Sequence, residues 1–220
     1  MRLRRKKRIA AIFLLALAAL TSAQFTPAQE VIDRIVARVD TDIILLSDVR
    51  ALARYQLFVD GKPESDAKIL DRLIDQWMVR NEAKAALFPQ PSEDEVNHSL
   101  ERLKRSFSSP QEFEERKKQS GLTDEVVERM LRSQLYLSNY LDSRFRASIQ
   151  IEEKDIEEFY KTHVVPRAES LGQAPPTLDA ASGFIQEALV QQAIDVQADR
   201  WLKESRARLH VEKLLSESPK

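Results

Sequence analysis

The 220-residue chain contains no cysteine and only four glycines. Without cysteine it can form no disulfide, no thiolate nucleophile, no zinc–cysteine site and no lipid attachment through an N-terminal cysteine. The scarcity of glycine, together with 31% charged residues, favours helices over a turn-rich β fold. The Gly-x-Ser-x-Gly and His-Glu-x-x-His patterns and a phosphate-cradling glycine loop are also missing from the sequence.

Long apolar runs are missing as well. The longest is Ile9–Leu20, with twelve residues, whereas a membrane-spanning helix needs about 20. Six basic residues precede this run and the small residues Thr21-Ser22-Ala23 follow it, which is typical of a secretory signal peptide. We therefore predict a cleaved signal peptide at residues 1–23 and a periplasmic protein without stable membrane insertion. An uncleaved tether is the alternative.

Cleavage after Ala23 changes the charge of the protein. The six basic residues leave with the leader, so Gln24–Lys220 keeps 28 basic against 35 acidic residues, a formal net charge of −7. Because nucleic-acid binding needs a positive surface, no nucleic-acid partner is expected.

Periodicity predicts a mainly α fold. The β-branched stretch Val31–Leu46, interrupted by Asp40-Thr41-Asp42, indicates a hairpin. Apolar residues at three- and four-residue spacing then predict helices as far as His163 and again from Leu178 to about Ala207, before a short β-like piece at Leu209-His210-Val211. Three prolines and a glycine mark residues 164–177 as a linker. The predicted organisation is a core at 24–163, completed beyond the linker by a helix and strand at 178–220.

The chain offers little for catalysis or metal binding. Glu95-x-x-His98 has the spacing of half a di-iron carboxylate site, but no second copy exists, so a solvated helix face is the preferred interpretation. Asn97-His98-Ser99 matches a glycosylation sequon, a short pattern that we attribute to chance. We predict no catalytic residues, no metal, no cofactor and no enzymatic activity.

Aromatic and methionine side chains are the remaining candidates for function. Most such residues at helical spacing are core residues. The alternative is a groove with adaptable walls that binds apolar peptide segments. The residues predicted to line such a client-binding groove are Met78, Phe107, Met130, Tyr136 and Tyr140.

Three stretches of the sequence resemble SurA-type periplasmic chaperones and related parvulin-linked proteins. They span nearly all of the chain after the leader, in the family's order: Ile32–Asp40 with Ile43–Val49; Leu70–Asp75 with the downstream Pro91–Val96, Phe113, Gly121-Leu122 and Leu135–Phe145; and Trp201-Leu202-x-Glu204-x-Arg206-x-x-x-x-Val211. The resemblance implies a multi-helix chaperone core, with a small β-hairpin closed by the C-terminal helix and short strand. Family members usually carry parvulin-type prolyl isomerase domains after the helix corresponding to Glu152–His163. Val164–Thr177 is too short and too poor in glycine to hold one, so no prolyl isomerase activity is expected.

The resemblance also implies the function. We expect an ATP-independent holdase that binds unfolded or extended, aromatic-rich segments of exported or outer-membrane proteins. A dedicated structural or assembly partner of one envelope protein is the alternative, and an enzyme of unrecognised type is the third hypothesis. Exchange of the hairpin and first helix between two copies, giving a domain-swapped homodimer, also stays open because short elements tied by a loop invite it.

Overall fold

A small antiparallel sheet joins the two ends of the described chain. The structure is a computed structural model that describes residues 33–215. The predicted signal peptide and the last five residues therefore lie outside it. Strands β1 (Ile35–Val39) and β2 (Asp42–Leu45) form the predicted hairpin, and β3 (Val211–Lys213) pairs with the other edge of β1, giving the order β2-β1-β3. Asp40 turns the hairpin with φ +50°, a left-handed conformation that aspartate tolerates better than most residues.

Helices make up most of the remaining structure. From the hairpin to residue 145 they are α1 (Leu46–Asp60), α2 (Asp66–Ala85), α3 (Glu93–Arg105), α4 (Pro110–Gln119) and α5 (Asp124–Phe145). Serine side chains cap the N-termini of two of these helices. Ser92 and Glu95 form a capping box at the start of α3, and the Ser109 side chain accepts a hydrogen bond from the Glu112 amide at the start of α4.

The core consists of three apolar clusters. The first lies under the sheet, between β1, α1 and α2, and includes Val36, Val39 and Ile74. The second surrounds Phe58, which packs against the rings of Phe107 and Phe113. The third joins α2 to α5: Val79, Ala83, Tyr136, Leu137 and Tyr140. The second and third clusters combine helices that are distant in sequence, so tertiary packing rather than helix propensity holds these elements together.

The chain beyond α5 forms an extension that we call the arm (Glu153–Ser170). It consists of α6 (Glu153–Phe159), a π-helical turn (Tyr160–Val164) and α7 (Val165–Ser170). The predicted linker at 164–177 is therefore wrong in its first half, since only residues 171–177 are non-helical. Proline has no backbone N–H to donate, and in a regular helix its ring clashes with the carbonyl four residues earlier. Here the Val165 amide bonds to the Tyr160 carbonyl in a wider turn, so the helix continues past Pro166.

The last helix, α8 (Leu178–Arg206), contacts both the arm and the body. Its fully buried residues Ile185 and Ile194 are nine positions apart, about two and a half turns, and so lie on opposite sides of the helix. This helix therefore packs on two faces, which explains why its apolar residues form no single stripe. Although α8 has 29 residues, no helix within residues 33–215 is long and apolar enough to cross a membrane.

The end of α8 closes the fold by ion pairs. Arg206 pairs with Asp71 and, at 3.3 Å, with Asp75 on α2, and Lys213 of β3 pairs with Asp71 at 2.6 Å. Partial burial raises the pKa of Asp75, whereas for Asp71 the hydrogen bonds from Lys213 and Arg206 outweigh burial and hold its pKa below the ordinary value. The predicted fold class is confirmed: a mainly helical core with a small hairpin, closed by the C-terminal helix and strand.

Candidate functional site

An open groove of about 880 Å³ lies between the arm and α8, and we call it the arm groove. Its volume falls within the range of ligand sites in proteins. It has an apolar floor and a polar rim, and its lining residues are Phe145, Ile151, Asp155, Glu158, Phe159, Thr162, His163, Leu189, Gln192, Ala193, Val196, Gln197, Arg200, Trp201 and Glu204.

One wall of the groove is a single face of the arm. Residues 155, 158, 159, 162 and 163 recur at helical spacing and therefore share that face. The ring of Phe159 stacks on His163 with 4.4 Å between centroids, and Thr162 Oγ1 donates a hydrogen bond to the Glu158 carbonyl. These contacts hold the wall across the π-helical turn, a feature that occurs frequently at functional sites.

The opposite wall is the C-terminal half of α8. Its apolar lining includes Leu189, Ala193 and Val196, and the Val196 side chain is 53% exposed. An exposed valine beside half-buried apolar neighbours is a surface that a ligand can desolvate at little cost. This face lies between the two buried sides of α8 described above, so packing within the chain leaves it open.

The floor of the groove is aromatic. Trp201 of α8 packs against Phe145 at the end of α5, with 6.3 Å between ring centroids. The guanidinium of Arg144 lies 4.9 Å from the Trp201 ring, a distance at which a cation–π contact is attractive. Trp201 also belongs to the margin of the third core cluster, so the floor of the groove is continuous with the core.

Ion pairs fix α8 to the end of α5 beside the groove. Arg146 pairs with Asp142 at 2.7 Å and with Glu187 at 2.6 Å. The hydrogen bond from Arg146 lowers the pKa of Glu187 from its ordinary value. A little further along, Ser148 Oγ donates to Gln197 Oε1 at 3.2 Å. The two helices that meet at the floor are thereby held at a defined spacing.

Charged groups on the rim differ in whether they bind other groups of the protein. Asp155 accepts a hydrogen bond from the Glu152 amide and so caps α6. In contrast, within residues 33–215 the side chains of Glu158, Glu204 and Arg200 take part in no ion pair. Since these three charges do not stabilise neighbouring elements, they are available to a ligand.

None of the five residues predicted to line a client-binding groove lies in the arm groove. Met78, Tyr136 and Tyr140 are at most 5% exposed, and the two tyrosines belong to the third core cluster. Met130 and Phe107 are half-buried against the second cluster, and Phe107 lies in the turn after α3 rather than on a helix. In this conformation a client would not reach Met78, Tyr136 or Tyr140. Their burial agrees with the alternative interpretation, that these residues belong to the core.

Spacing identifies the buried face of a helix but not where two buried faces diverge, so the sequence does not point to the arm groove. Phe145 and Trp201 lie on helices like the core aromatic residues, and nothing in the sequence separates them from the core. A usable signal exists in α8, where the apolar residues Leu189, Ala193 and Val196 lie on a different face from Ile194. Apolar residues on several faces of an exposed, charged helix indicate more than one packing partner.

Compared with known proteins, the chain matches no protein-family model and no curated sequence. Within residues 33–215 no group of three or more histidine or acidic side chains is arranged to hold a metal ion.

Proposed function

We propose that this protein is an ATP-independent holdase chaperone of the periplasm that binds unfolded segments of exported or outer-membrane proteins in the arm groove. The observation that carries the proposal is the groove itself, an open surface with an aromatic floor, exposed Val196 and unpaired charges on its rim. The signal-peptide pattern at residues 1–23 and the resemblance to SurA-type chaperones support the compartment and the class of activity.

Binding in such a groove is mainly desolvation of apolar side chains. Each Å² of apolar surface removed from water contributes about 25 cal/mol, before the cost of ordering the client. Most of that gain is lost again in fixing a flexible chain. The client is therefore held weakly and leaves without an energy source, as a holdase requires.

The test is the light scattering of an unfolded outer-membrane β-barrel protein diluted from denaturant. We expect the purified protein to suppress aggregation at near-stoichiometric amounts without ATP. Val196→Asn places a neutral polar group in the apolar wall and should weaken suppression. Phe184→Asn introduces the same residue at another exposed position of α8, where the phenylalanine is 74% exposed and outside the groove, and should act like the wild type.

Two results would contradict the proposal. If folded Val196→Asn suppresses aggregation as well as Phe184→Asn does, the client does not bind in the arm groove. If the folded wild type suppresses nothing, the holdase proposal fails. A saturable one-to-one complex with a single envelope protein, recovered by pull-down, would then favour a dedicated assembly partner.

A further inference from the structure

The negative charge of the protein is concentrated around the arm groove. Residues 151–204, which contain most of both walls, include eleven acidic and five basic residues, a net charge of −6. Residues 33–150 include 21 acidic and 19 basic residues, a net charge of −2 over more than twice the length. A field of one sign around a cleft raises the local concentration of ligands of the opposite sign.

The lining of the groove has the same sign. Three carboxylates lie on the rim, those of Asp155, Glu158 and Glu204, against the single guanidinium of Arg200 and the imidazole of His163. Among the described residues Glu158 and Glu204 have no cationic partner of their own. A cationic partner would therefore pair with them without breaking an ion pair inside the protein, whereas an acidic partner would meet repulsion.

Both walls of the groove are helical, and this decides which backbone conformation fits. The amides and carbonyls of the middle of α8, and those of the arm beyond the first turn of α6, are already used within their helices. The strands β1, β2 and β3 contribute no residue to the lining, so an extended segment would find no strand edge with which to pair. A helical segment satisfies its own backbone and needs only an apolar face.

We infer that the arm groove selects cationic amphipathic helices, segments with an apolar face flanked by lysine or arginine. The inference rests on the proposed holdase function and narrows its client class. The lining of α8 runs from Leu189 to Glu204, about 22 Å at 1.5 Å per residue. A matching client helix has roughly 15 residues, or four turns.

The experiment uses three labelled synthetic peptides of about 16 residues and fluorescence anisotropy with the purified protein. The first peptide has leucine and phenylalanine on one helical face and lysine on the other. The second replaces every lysine with glutamate, and the third has the composition of the first in an order that destroys the apolar face. We expect the first to bind at least tenfold more tightly than either of the others.

The charge dependence is tested on the protein. Glu158→Gln combined with Glu204→Gln removes two exposed ion pairs with the peptide, each contributing about 0.2–1 kcal/mol, and should weaken binding of the lysine peptide about two- to thirtyfold. The matched control, Glu169→Gln combined with Asp195→Asn, removes the same charge from the arm and α8 outside the groove lining and should leave binding nearly unchanged. Raising the salt to about 1 M, where the Debye length is about 3 Å, should also weaken binding.

The peptide's conformation completes the test. Far-UV circular dichroism of the mixture, minus the protein alone, should show the lysine peptide gaining helix on binding. Equal binding of the lysine and glutamate peptides, equal effects of the two double variants, or no gain of helix would overturn the inference. If aggregation is nevertheless suppressed in the scattering assay, the holdase function stands. If neither peptide binds and nothing is suppressed, both proposals fail.

Discussion

Tyr140 provides the sharpest test of where the core ends and the binding surface begins. The sequence predicts that it lines a groove, yet its side chain is 5% exposed, it meets the Phe88 ring edge-on at 5.5 Å, and its hydroxyl accepts a hydrogen bond from Arg144 at 3.0 Å. Truncating a buried aromatic residue costs about 3–5 kcal/mol. We therefore expect Tyr140→Ala to lower the free energy of unfolding by about 3 kcal/mol.

For a protein of this size, about 3 kcal/mol corresponds to a fall in melting temperature of roughly 6–12 °C. Tyr140→Phe removes only the hydrogen bond and should cost about 1 kcal/mol. Thermal and urea unfolding followed by circular dichroism at 222 nm measure both variants. The matched control is Val196→Ala, an exposed position in the arm groove, which should change stability by less than about 0.5 kcal/mol and weaken client binding.

A Tyr140→Ala protein that melts like the wild type but no longer binds clients would refute this reasoning. Tyr140 would then lie on the binding surface, as predicted from the sequence, and the packing of α2 against α5 would have to open in solution. The opposite result for Val196→Ala, a large loss of stability with client binding intact, would contradict the assignment of the arm groove in the same way.

Three further predictions concern how the fold is held together. Arg206→Ala should lower stability by about 1–2 kcal/mol through its pairs with α2, and by less at high salt. Arg208→Ala should change stability little, because the one side-chain hydrogen bond that Arg208 makes within residues 33–215 is to Ser205 in the same turn. Thermal unfolding at two salt concentrations measures both variants, and equal losses would contradict the role of the ion pairs. The pKa of Asp71 is lowered in the folded protein, so its stabilising contribution is present above about pH 4 and is lost as the pH falls through the folded value. Asp71→Asn should therefore be less stable than the wild type at pH 7, and in urea unfolding the difference should shrink as the pH is lowered below about 4. A difference that stays constant with pH would exclude this linkage. Ser92→Ala removes the capping box at the start of α3 and should lower the free energy of unfolding by about 1 kcal/mol in the same assay. Ser92→Gly should lower it by less. If neither variant loses stability, the cap is dispensable.

Local chemistry determined most of the secondary structure of this protein. The β-branched hairpin, the Ser92 cap and the apolar stripes are properties of neighbouring residues, and the structure bears out the hairpin, the helices and the closing strand that they predict. The exception is the arm. Prolines and a glycine predict a linker from residue 164, but a π-helical turn accommodates Pro166 and the helix continues to Ser170. The proline and glycine signals that predict a loop do not predict a π-helical turn.

Only the tertiary structure decided where a site can be. Met78, Tyr136 and the groove residue Trp201 are chemically similar apolar side chains at helical spacing, and the sequence gives no reason to separate them. Their roles differ because the faces of α2 and α5 meet and close, whereas the arm and α8 diverge and leave Val196 exposed to solvent. Periodicity specifies that a face must be buried, but the angle and distance between helices determine whether the chain itself buries it or leaves it for a partner.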